Sequence, residues 1–86
     1  MSPAEALRLI QGYAAAGRVE FTEHAAQRMR QRRARRDDVL RGIATATAAA
    51  PQPDRGTWRL DGVDLDGDAL TTVCALRDGV LVVTVY

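Results

Sequence analysis

The 86-residue chain contains no lysine, one histidine, one cysteine and four aromatic residues. A lone Cys74 excludes an internal disulfide, and its setting in the apolar run LTTVCALRDGVLVV reads as a small buried hydrophobe rather than a nucleophile. No apolar stretch approaches the roughly 18 residues needed to span a bilayer. No charged leader runs into an apolar signal segment, so a cytoplasmic location is expected. So short a chain builds one modest core, which excludes a large cofactor cleft and points to a small surface site without cofactor. All twelve basic residues are arginine, a bias that a GC-rich genome can produce, so the absence of lysine says little about ligands.

The arrangement of charge says more. Residues 1–41 carry nine arginines against five acids, a balance of +4, and residues 42–86 carry three against six, a balance of −3, which together give the net +1. Arg28, Arg30, Arg32, Arg33, Arg35 and Arg36 are six arginines within nine residues. Guanidinium matches phosphate bidentately, so this cluster is a candidate nucleic-acid contact, with Arg30, Arg33, Arg35 and Arg36 as its docking members. A solvated helix face is the plainer alternative.

The segment FTEHAAQRMRQRRARR sets the only histidine, His24, four residues before Arg28 and eight before Arg32. On a helix these three share one face, because residues i and i+4 are neighbours. A proton carrier beside two fixed cations is the minimum that metal-free phosphodiester cleavage needs. The alternative makes His24 a capping or packing residue bonded to a backbone carbonyl or to a neighbouring carboxylate such as Glu20 or Glu23, with Arg28 and Arg32 paired to Asp37 or Asp38.

Local signals place these residues in an α+β fold read as one domain over 1–86, with helices at about 3–16, 22–33 and 37–47. Ser2, Pro3 and Glu5 form a capping-box pattern, Thr22 is placed to cap the second helix, and Asp37 and Asp38 suit the start of the third. Val19 to Phe21 read as a short extended entry. The run AAAPQPDRG reads as a loop, since Pro51 and Pro53 preclude helix continuation. Alternation from Thr57 onward, with Asp-Gly pairs at 61/62, 66/67 and 78/79 marking turns or bulges, predicts strands at about 57–65, 69–77 and 80–86. The expected architecture is three helices on one face of a three- to four-stranded antiparallel meander. By period two, Thr84 and Tyr86 share one strand face, with Val83 and Val85 on the other. The acidic run DGVDLDGD lacks the long loop and terminal Glu of an EF-hand, and no metal site is expected. Tyr13 and Trp58 are expected in the core rather than on a base-stacking surface.

The order F-T-x-H-A-x-x-R-M-x-x-R, then D-V-L opening a helix, then strands ending V-V-T-V-Y, resembles a widespread family of small bacterial domains of unknown function. That family is grouped with the RelE-like toxins and BrnT, in the barnase–EndoU–colicin–RelE fold class. The resemblance covers roughly residues 18–86 and implies a RelE-like fold and a toxin-like ribonuclease role. It implies a site of His24, Arg28, Arg32, Thr84 and Tyr86. RNA and a cognate antitoxin or immunity protein would then be partners, and a homo-oligomer through the exposed meander edge is a further expectation. The resemblance also implies Gly-Ile-Ser/Thr after the second motif arginine, as helix stop, apolar plug and N-cap. This chain has Arg33-Ala34-Arg35 there.

Overall fold

A computed structural model describes residues 1–86. Helix α1 spans Pro3–Ala15, and its start is held by a reciprocal pair: the Glu5 N–H donates to the Ser2 hydroxyl, and the Ser2 N–H donates to the Glu5 carboxylate. Strand β1 (Val19–Phe21) leads into α2 (Glu23–Arg32), followed by α3 (Arg36–Thr45), β2 (Ala49–Gln52), a single 3-10 turn at Pro53–Arg55, β3 (Thr57–Val63), β4 (Ala69–Leu76) and β5 (Val80–Val85). The fold is α+β with the helices N-terminal to most of the sheet.

The five strands form one mixed sheet in the order β1-β5-β4-β3-β2, so the expected purely antiparallel meander is corrected. The extended entry at Val19–Phe21 is a strand, pairing in parallel with Val80–Val82 of β5. The AAAPQ loop contains β2, which pairs antiparallel with β3 and sets Pro51 opposite Trp58. Proline fits because β2 is an edge strand, where half the backbone N–H groups need no ladder partner. The other edge, β1, is covered by Arg36, whose guanidinium donates to the Val19 and Gly17 carbonyls at 3.1 and 3.2 Å. Both features blunt the two edges of the sheet.

One face of the sheet carries the core. Ile10 of α1, Ala25 of α2, and Val39 and Ile43 of α3 pack with Leu60, Leu70, Cys74, Val82 and Val85, all fully buried or nearly so. Burial pushes the Cys74 thiol up to about 12, which keeps it neutral and unreactive. Trp58 and Tyr13 pack against this cluster from its margin, half-buried.

Helix α3 meets β3 at backbone distance. A Cβ on Gly62 would lie 2.0 Å from the Gly42 carbonyl oxygen. The Asp-Gly pair at 61/62 therefore marks a helix–strand crossing inside β3 rather than the expected turn or bulge. Thr45 locks the same crossing, accepting from the Val63 N–H at 2.9 Å and donating to the Arg41 carbonyl at 2.8 Å. Gln11 of α1 donates to the Ile43 and Ala46 carbonyls and so satisfies the C-terminal end of α3.

Candidate functional site

Helix α2 is fixed against β5 by its own N-cap. The Thr22 hydroxyl accepts from the Ala25 N–H at 3.0 Å and donates to the Val83 carbonyl at 2.9 Å, while the Thr22 N–H donates to Val82. Strand β1 ends where β5 still has residues left to pair, so α2 covers the remaining edge. Ala25 is its buried anchor and Met29 packs beside it one turn on, which turns His24 and Arg28 outward.

The sequence candidates separate into two places. Arg28, Arg32 and Tyr86 line one shallow cleft of about 200 Å³, together with Gln31 and Val85. Arg28 makes a long 3.5 Å contact to the Val85 carbonyl through Nε. Arg32 donates to the Ala69 carbonyl at 3.1 Å and lies 3.8 Å from the Asp64 carboxylate. Each guanidinium has five N–H donors, so both retain free ones for a ligand. His24 stands exposed one turn before Arg28 and bonds to no protein group; none of the expected pairings with Glu20, Glu23, Asp37 or Asp38 forms.

Thr84 lies elsewhere. A bulge in β5 pairs Cys74 with Val82 but Val73 with Thr84, leaving Val83 as the extra residue. Alternation breaks there: Val82 and Val85 both enter the core, while Val83, Thr84 and Tyr86 all line a cavity on the opposite, open face. The expected split of Val83 from Thr84 and Tyr86 is thus corrected, because a bulge adds a residue that period two cannot count. Tyr86 borders both the cleft and this cavity.

The arginine cluster also divides. Arg36 is engaged with β1 and sits over the Phe21 ring at 5.7 Å, so it is structural. Arg30, Arg33 and Arg35 are exposed, and their guanidinium groups have no protein partner. Arg33 ends α2 in the left-handed region at φ 59°, the position glycine favours, with Ala34 half-buried behind it. Arg35 occupies the N-cap of α3, where an arginine has no acceptor to offer. Asp38 takes over by reaching back to the Arg35 N–H at 2.9 Å and also accepts from the Leu65 N–H at 3.1 Å.

The acidic run forms a tight turn. Asp64 accepts the N–H groups of Asp66 and Asp68, both at 2.9 Å, which accounts for the closeness of the three carboxylates.

The model for a domain of unknown function, DUF4258, matches residues 21–86. The chain belongs to that family. The DUF4258 match starts at Phe21 and so takes in α2, the cleft and the whole open face, while α1 precedes it. No curated protein and no solved structure matches the chain. No helix is long and apolar enough to cross a membrane.

Proposed function

We propose that this domain is a toxin-like RNA-binding protein that cleaves RNA without a metal, within the RelE-like fold class suggested by its sequence motifs. The observation that carries the reading is the cleft in which Arg28 and Arg32 converge with Tyr86, one helical turn from an unpartnered His24.

In this reaction the ribose 2′-oxygen attacks the adjacent phosphorus. A P–O2′ bond forms and the P–O5′ bond breaks, leaving a 2′,3′-cyclic phosphate and a 5′-hydroxyl. His24 takes the 2′ proton as general base, and water protonates the departing 5′-oxygen. Arg28 and Arg32 offset the charge that builds on the phosphorane oxygens, and the Tyr86 phenol holds one of them by a hydrogen bond. Arg30, Arg33 and Arg35 extend the cationic surface along the RNA backbone.

A second reading is binding without cleavage, in which the arginine-rich face docks RNA or an acidic protein partner. It is favoured by the carbonyl bonds of Arg28 and Arg32, which give both side chains a structural task.

Purified wild-type, His24→Ala and Arg28→Ala proteins should be compared for RNA cleavage, with product ends identified and circular dichroism confirming the fold. Loss of His24 is expected to slow cleavage by about 10²- to 10⁴-fold while leaving binding intact. Binding without cleavage by the wild type would favour the second reading, and binding insensitive to salt would exclude a polyanion ligand altogether.

A further inference from the structure

We infer that the open face of the sheet carries a nucleobase site continuous with the Arg28/Arg32 cleft, so that the ligand is single-stranded RNA gripped by one phosphate and a neighbouring base. This rests on the RNA reading above and specifies which part of the polymer is recognised.

The side of the sheet away from the helices would ordinarily be polar, yet its centre is apolar. Val73 and Ala75 of β4 are only 6% and 2% exposed although no helix covers them. With Leu81 and Val83 of β5 they floor a cavity of about 270 Å³. The β5 bulge shapes it, because the extra residue adds Val83 to the floor and Thr84 to the wall. Arg55 and Arg77 stand at its rim, and no acidic side chain lines it. An apolar floor inside a cationic rim fits a flat ring attached to an anionic chain.

The wall also has hydrogen-bonding capacity to spare. Gln52 accepts from the Thr57 hydroxyl at 2.9 Å through Oε1, which orients the amide and leaves its NH₂ group unbonded. The Thr84 hydroxyl has no protein partner either. One amide donor and one hydroxyl beside an apolar floor can meet the edge of a base whose face lies on that floor. Only an unpaired, unstacked base can enter, which selects single strands over duplex.

Tyr86 makes the connection. It borders both the cavity and the arginine cleft, so a phosphate held by Arg28 and Arg32 and a base in the cavity would share Tyr86 as a neighbour.

The test is an amide-shift titration of isotope-labelled full chain with two oligomers, a 2′-O-methylated ribonucleotide tetramer that cannot cyclise and the matching abasic tetramer. The base-bearing tetramer should move the amides of Val73, Ala75 and Val83 as well as those of Arg28 and Arg32. The abasic tetramer should move only the α2 signals and bind more weakly, by roughly 5- to 150-fold, the range for losing one base contact. Equal shifts on the open face with both oligomers would overturn the nucleobase assignment in favour of a phosphate contact. Shifts confined to α2 would overturn the cavity while leaving the RNA reading in place. No shift anywhere would overturn both.

Discussion

Thr22 and Val83 are joined by a 2.9 Å hydrogen bond in which the hydroxyl that caps α2 also satisfies a carbonyl on the edge of β5 that β1 leaves unpaired. One side chain therefore sets where the arginine-bearing helix begins and how it lies against the bulged strand. Thr22→Val keeps the volume but removes the cap and leaves the Val83 carbonyl without a donor. The variant should lose about 2 kcal/mol in denaturant unfolding. If the cleft binds RNA as proposed, affinity should fall with it, because the cleft depends on the seating of α2 against Val85 and Tyr86.

The Gly42–Gly62 crossing gives two substitutions with different outcomes. Alanine at Gly62 would drive its Cβ into the Gly42 carbonyl and the Thr45 hydroxyl, at 2.0 and 2.7 Å, so about 3 kcal/mol should be lost or folding abolished. Alanine at Gly42 meets the Leu70 side chain first, at 3.1 Å, and gains helix propensity in return. Its melting curve should stay within about 1 kcal/mol of wild type.

Thr72 is fully buried between Leu60 and Val85, and its hydroxyl has no hydrogen-bond partner. Thr72→Val removes an unsatisfied polar atom at nearly constant volume. Stabilisation of about 1 kcal/mol is expected, read as a rise in the denaturant midpoint at unchanged slope.

At the α2–α3 turn, arginine stands at two positions where local stability prefers something else. Arg33→Gly relieves a left-handed backbone at φ 59°, and Arg35→Ser supplies the missing cap, so each should stabilise by about 1 kcal/mol. Both remove an exposed, unpaired cation. If the turn contacts RNA, the double variant should melt higher yet bind more weakly and with a shallower salt dependence. Unchanged binding would show that the two arginines have no part in it.

Asp38 supplies an acid-side prediction. The backbone N–H groups of Arg35 and then Leu65 hold its carboxyl below the ordinary aspartate value. The unfolded chain takes up protons first as pH falls, so stability rises with pH across that window. Its contribution is complete above the ordinary aspartate value and is lost as pH drops through the lowered one. Glu5, through Ser2, and Asp61, through Thr71, are shifted the same way and add to the slope. Asp38→Asn keeps an acceptor without titrating, so denaturant midpoints followed from roughly pH 5 to about pH 2 should fall less steeply than in wild type.

Features carried by neighbouring residues were legible in the chain. The Ser2–Glu5 box, the Thr22 cap, the α2 face bearing His24, Arg28 and Arg32, and the three long C-terminal strands all follow from spacings of two to four residues, over which the backbone itself imposes the geometry. Val19–Phe21 was legible as extended chain but not as a paired strand, and β2 was not legible at all, because three residues or a proline-containing edge carry too little periodicity to signal pairing. Gly62 likewise looks like turn chemistry until α3 lies across it.

What the sequence determined by itself is therefore local: where helices start, which side of α2 is basic, and that Cys74 belongs inside. Tertiary structure decided the rest, for reasons of long-range pairing and packing. Parallel addition of β1 made the sheet mixed, and covering the last residues of β5 with α2 brought Arg28 and Arg32 to Tyr86. The bulge at Val83 turned Thr84 away from the helices and, with Val73 and Ala75, shaped a cavity to which residues from four strands contribute. No spacing within one strand encodes such a site, because it exists only when the strands are in register.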